Sequence, residues 1–148
     1  MPHADPHADI LHGPSRPELI RNEILADLFE TTARRAAQQI ALIHGERALS
    51  YGELDVLADR AASHLMAAGV RPGQIIGLWL PRGIELLVMQ LAIAKTGAAW
   101  LPCDADTPVD RVAVCLEDAA SPGLVSCAAF APQLTAIPCS VWTAEALL

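Results

Sequence analysis

From residue 74 onward the sequence alternates short apolar runs with helix-length segments, and this alternation leaves few folds open. Residues 74–80 form a near-continuous apolar run rich in Ile, as expected of a strand covered by helices on both faces. Residues 83–96 read as a largely apolar helix, with Glu85 in its first turn and Lys95 in its last, each complementing the macrodipole, and Gly97 is placed to cap it. Residues 98–102 read as the next strand. Thr107, Pro108 and Asp110 then open a helix that runs to about Ala119, with proline where no amide donor is needed. Residues 124–126 and 139–142 read as two further short strands, separated by a weak helical segment over 128–134. The βαβαβ order places the chain in the α/β class, with helices flanking a mostly parallel sheet.

The segment before this alternation supplies two helices and a hairpin. Leu25, Leu28, Phe29, Thr32, Ala33 and Ala36 recur at three-and-four spacing, which predicts a helix ending near Gln39. Ile40–His44 and Arg47–Ser50 read as the arms of a hairpin turning at Gly45. Ser50 and Glu53 have the spacing of a capping box, in which the hydroxyl accepts from the third helical amide and the carboxylate reaches back to the cap amide. The stripe Leu54, Leu57, Ala58, Ala61, Leu65 and Ala68 continues that helix to Gly69, a natural left-handed cap, and Pro72 forbids continuation.

Composition narrows the function. Of 148 residues, 53% are apolar and 18% charged, enough for one domain, or part of one, with a real core. A net charge of −7 argues against a surface that tracks nucleic-acid phosphates. The most apolar stretch, residues 75–94, is interrupted by Pro81, Arg82, Gly83, Glu85 and Gln90, short of the ~18 apolar residues that a membrane span needs. The first twenty residues have no basic-then-apolar secretory pattern, so a cytoplasmic location is expected. Residues 1–20 read as a flexible leader carrying a tandem Pro-His-Ala-Asp. His3, His7, Asp5 and Asp9 could gather a metal only if that leader became ordered, and are read as solvated. Cys103, Cys115, Cys127 and Cys139 are spaced by twelve but lie in no repeat and no C-x-x-C pair, so they are read as free thiols rather than zinc ligands.

Catalytic motifs are missing. The sequence contains no G-x-G-x-x-G, no G-x-x-x-x-G-K-[ST] and no G-x-S-x-G. Gly69, Gly73 and Gly77 are read as turn and packing positions, and His44 and His64 as surface or core histidines.

Two segments carry a resemblance. Leu49-Ser50-Tyr51-Gly52-Glu53-Leu54 resembles the first core motif of the adenylation domains of nonribosomal peptide synthetases, and residues 94–104, AKTGAAWLPCD, resemble the second. Residues 68–74, the run Ile76-Gly77-Leu78, and the helix with Arg111, Leu116, Glu117 and Asp118 are similar to the family's intervening parts, so the likeness covers residues 25–148. Ala94, Thr96, Trp100 and Cys103 stand where the family more often has Leu, Ala, Tyr and an aliphatic residue.

The resemblance implies that residues 21–148 are the opening part of the large N-terminal subdomain of an adenylate-forming enzyme. Such a domain activates a carboxylic acid with ATP and magnesium and then passes the acyl group to a phosphopantetheine thiol. The family's Ser/Thr/Gly-rich phosphate loop, its substrate pocket, the aspartate that holds the ribose and its catalytic lysine would all lie beyond Leu148. Lys95 is not that lysine and reads as a cation satisfying helix-terminal carbonyls. Ser50, Glu53, Tyr51, Leu54, Gly97, Trp100 and Leu101 read as scaffold, and Asp104 as a cap or turn residue. No residue is assigned to catalysis, cofactor or metal, no ligand is expected to bind this portion alone, and the expected partners are the remainder of the domain and a carrier domain. The other reading is a non-catalytic module that binds a partner through an exposed edge or helix face.

Overall fold

The computed structural model describes residues 13–20 and 22–148. Of the leader, residues 1–12 lie outside the described residues, and Pro17–Leu19 forms an exposed 3-10 turn. Helix α1 (Leu25–Arg35) leads to the hairpin β1 (Ile40–His44) and β2 (Arg47–Ser50), and α2 (Tyr51–Ala67) follows without a linker. The rest is β3 (Ile75–Trp79), α3 (Ile84–Lys95), β4 (Ala99–Cys103), α4 (Val109–Asp118), β5 (Gly123–Ser126), α5 (Ala131–Leu134), β6 (Ser140–Thr143) and α6 (Ala144–Leu147).

β1 and β2 pair antiparallel as a separate two-stranded sheet. The other four strands form one parallel sheet in the order β4-β3-β5-β6. The expected α/β class is therefore present. Element ends moved by one to four residues: α1 stops at Arg35 rather than near Gln39, because Ala36 leaves helical geometry as it accepts its role as cap. The weak helical segment is a 3-10 turn, Ala128–Phe130, running into the single turn α5.

Alternation along β3 explains the two cores. Ile76, Leu78 and Leu80 point into the larger cluster with Leu65 and Ala61 of α2, Val88, Met89 and Ile93 of α3, and Leu147 of α6. Trp79 points the other way, into a smaller cluster with Val112 and Leu116 of α4, Leu124 and Ile137. Gly77 faces that second side: a Cβ there would collide with Leu116 and come within 2.9 Å of Leu124, so glycine lets α4 lie close against the sheet. Among the described residues no helix is long and apolar enough to cross a membrane.

Candidate functional site

In a parallel sheet, ligands gather at the carboxyl ends of the strands where the strand order reverses. Here the chain leaves β3 for β4 on one side and then returns to β5 on the other, so the reversal lies between β3 and β5. A cavity of about 330 Å³ opens there, lined by Leu80, Arg82 and Gly83 after β3, Cys127 after β5, Glu145 of α6, and His44 and Arg47 of the hairpin. A second cleft of about 580 Å³ lies beside it over the ends of β3 and β4, lined by Arg82, Gln90, Asp104 and Asp106.

The polar groups at this edge are largely committed to one another. Arg47 Nη1 donates to Glu85 Oε1 at 2.7 Å, tying the hairpin to the first turn of α3. That bond holds the Glu85 carboxyl below the ordinary glutamate range. Both carboxylate oxygens of Glu145 accept from the Ala128 amide at 3.2 Å, capping the 3-10 turn that follows β5. Ser126 Oγ donates to the Trp79 carbonyl at 3.0 Å, and Trp79 Nε1 donates to the Asp104 carbonyl at 2.9 Å, so the ends of β5, β3 and β4 are laced together. Asp104 is thus engaged through its backbone, in keeping with a turn role.

Among the described residues no group of three or more His, Cys, Asp or Glu side chains is arranged to hold a metal. Burial pushes the thiols of Cys103 and Cys139 upward, with Cys115 and Asp104 adding to the effect at Cys103. Thiols raised in this way are poor nucleophiles. His64 faces Leu147, its Nδ1 lying 2.9 Å from that carbonyl, and so joins α2 to α6.

The first sequence motif lies away from this edge, at the start of α2, whereas the second runs from the end of α3 to Cys103 and Asp104 at the edge itself. Ser50 Oγ accepts from the Glu53 amide at 3.3 Å, while Glu53 Oε2 accepts from the Ser50 amide at 2.8 Å, closing the capping box that starts α2. The hydrogen bonds from Ser50 lower the Glu53 carboxyl below its usual value. Tyr51 packs against Phe29 of α1 with the rings tilted by 40° and their centroids 6.3 Å apart, and Leu54 is buried. At the other motif Gly97 takes a left-handed φ of 78°, and Trp100 and Leu101 are half-buried on β4.

Lys95 departs from its expected role. Its ammonium does not cap carbonyls; it lies 2.9 Å from Glu30 Oε1 of α1, 2.9 Å from Asp55 Oδ1 and 2.6 Å from Asp59 Oδ1 of α2. The Lys95 side chain is only 6% exposed. Burial alone would lower its pKa, but the Asp59, Asp55 and Glu30 carboxylates outweigh burial and hold the ammonium above the usual lysine value. Asp55 and Asp59 stand four apart on α2 and the chain has a single lysine, so a signal existed in the sequence. Only the packing of α3 on α2 turns it into a contact.

The sequence model of the family described as "AMP-binding enzyme" matches residues 29–143. Delta-poly-L-ornithine synthetase of Acinetobacter baumannii is 50% identical over 135 residues, 91% of this chain and 10% of that protein. Among solved structures, the nonribosomal peptide synthetase FmoA3 superposes with a TM-score of 0.78 at 31% identity, over 83% of this chain and 13% of that one. The N-terminal subdomain of NpsA from Klebsiella oxytoca gives 0.72 at 25% identity, over 83% of this chain and 32% of that one. NpsA artificially fused to ThdA as an adenylation-PCP di-domain gives 0.73 at 26% identity, over 82% and 23%. The chain therefore spans about a tenth of the curated relative.

Proposed function

The chain belongs to the AMP-binding enzyme family, in its nonribosomal peptide synthetase branch, and on that premise we propose that it is the opening portion of an adenylation domain that activates an amino acid with ATP. In the complete domain the substrate carboxylate attacks the α-phosphate of ATP, pyrophosphate leaves, and a carrier-domain thiol then attacks the carbonyl of the resulting acyl adenylate, forming the thioester and releasing AMP. These residues supply the scaffold for that chemistry. They contain no glycine-rich phosphate cradle.

One observation carries the reading: the helix opened by the first motif and the lysine of the second are joined in a single ion cluster, so the two motifs act as one structural unit. The charge-stabilising groups of the reaction must come from elsewhere in the domain. Loss of even one such donor costs roughly 10²-fold or more in rate, so the portion alone is inactive. Its partners are the remainder of the adenylation domain and a carrier domain, and it works in the cytoplasm.

The test is ATP–pyrophosphate exchange with a pool of common amino acids, on the purified chain alone and with the remainder of an adenylation domain supplied in trans. Exchange only on complementation supports the proposal. Exchange by the chain alone overturns the assignment of the chemistry to other parts of the domain.

A further inference from the structure

Basic side chains are chosen unevenly in this sequence. Of its ten lysines and arginines only Lys95 is a lysine, so these residues hold a single side-chain amine. A guanidinium stays protonated at any ordinary pH and is no nucleophile. An amine attacks a carbonyl only in its neutral form, with the nitrogen lone pair free. Lys95 is denied that form and that access together. Its side chain is almost wholly buried, and its ammonium lies 2.9, 2.9 and 2.6 Å from carboxylate oxygens of Glu30, Asp55 and Asp59. Those three acids keep it protonated well beyond the ordinary lysine range. Thiols at the ends of the sheet strands are withdrawn as well. Cys103 and Cys127 line the two clefts there. Cys127 is buried, and burial pushes the half-buried Cys103 upward, away from the thiolate.

We propose that the fold withholds Lys95, Cys103 and Cys127 from acylation, so that this portion is not modified by the acyl adenylate its own domain makes. The inference rests on the adenylation reading above. An acyl adenylate is a mixed anhydride of a carboxylic acid and a phosphate. A neutral amine adds to its carbonyl, the bond from that carbon to the phosphate oxygen breaks, AMP leaves, and the amine's proton passes to water. The product is a lasting amide. A thiolate reacts in the same way and leaves a thioester, diverting an acyl group meant for the carrier thiol. At Lys95 the damage would reach the scaffold itself, because an amide there removes the positive charge that joins α1, α2 and α3. Three carboxylates would then face one another without a counter-charge. The clamp that holds the helices together is thus also what keeps the amine unreactive.

The experiment treats the purified 148-residue chain with synthetic acetyl adenylate, folded and in concentrated urea, and follows acetylation residue by residue by mass spectrometry. Arg111→Lys supplies a reference amine at an exposed position of the same fold. In the folded chain Lys95 should be acetylated at least about tenfold more slowly than the reference amine, and urea should bring the two rates together. Cys103 and Cys127 should form thioesters at least about tenfold more slowly in the folded chain than in urea. Glu30→Gln, which removes one of the three carboxylates, should speed the reaction at Lys95 and leave the reference amine unchanged. Acetylation of Lys95 as fast as the reference amine in the folded chain overturns the inference. So does a slow reaction at Lys95 that persists in urea, or a thioester at Cys103 or Cys127 that forms as fast in the folded chain as in the unfolded one. The reagent is synthetic, so this result stands apart from the domain's own activity: protection without pyrophosphate exchange in the complemented mixture upholds the withheld groups and counts against the adenylation reading.

Discussion

Lys95 Nζ lies 2.6 Å from Asp59 Oδ1, and through this contact the last turn of α3 is fastened to the middle of α2. Asp55 and Glu30 complete the cluster from α2 and α1, so one ammonium joins three helices. Lys95→Met should leave three carboxylates facing one another over a side-chain site that is 6% exposed in the native protein. Breaking a fully buried pair costs about 3–5 kcal/mol. The acids here are 24–61% exposed, which brings the expected loss to about 2 kcal/mol. Urea unfolding measures it, and Lys95→Arg should recover part of the loss.

The same cluster sets the alkaline limit of stability. Lys95 is held above the ordinary lysine value of about 10.5, so its contribution is fully present below that pH. It fades only as the pH rises through the higher folded value. Wild type should therefore lose stability more steeply than Lys95→Met as pH rises beyond 10.5, a comparison made by denaturant unfolding at fixed pH.

On the acid side the groups that matter are Glu85 and Glu53, both held below 4.5 in the folded chain, by the bond from Arg47 and by the Ser50 cap respectively. Depressed carboxyls stabilise above their unfolded pKa and lose that contribution as pH falls through the folded value. Glu85→Gln should flatten the acid limb of the stability curve below pH 4.5. At neutral pH it should change stability by no more than about 1 kcal/mol, because the pair with Arg47 is 62% and 39% exposed.

Ser50→Ala removes the side-chain cap of α2 while leaving the hairpin arm in place. The expected loss is about 1 kcal/mol. Glu53→Gln should lose less, and the double variant should fall short of the sum, because the two side chains serve each other. A double-mutant cycle by chemical denaturation reads the coupling.

Gly97→Ala tests the turn between α3 and β4. The residue sits at φ 78°, and an added Cβ would lie 3.0 Å from Pro72, so both backbone strain and crowding oppose it. A loss of about 1–3 kcal/mol in thermal or urea unfolding is expected, against near neutrality for Gly13→Ala, which meets nothing within 4 Å.

Local chemistry was legible in the sequence where a few adjacent residues decide it. Ser50 and Glu53 announce their helix start, and Gly97 announces the turn, because each depends on residues within one turn of chain. The class of the sheet was legible too, since the run Ile75–Trp79 is apolar on both faces. The order β4-β3-β5-β6 was not, because it depends on β5 crossing to the far side of β3. Nor was the role of Lys95, whose three acids come from residues 36 to 65 positions away and meet only when α1, α2 and α3 pack. The switch-point cavity was out of reach for the same reason, since the Arg47–Glu85 pair that bounds it spans 38 residues.

The proposed role of these residues is the working scaffold of an amino-acid-activating domain. The most direct measurement replaces the corresponding segment of the Acinetobacter synthetase adenylation domain with residues 25–148 of this chain and follows amino-acid-dependent ATP–pyrophosphate exchange. The account predicts a folded chimera that exchanges within about tenfold of its parent. A chimera that folds cooperatively but shows no exchange would contradict it.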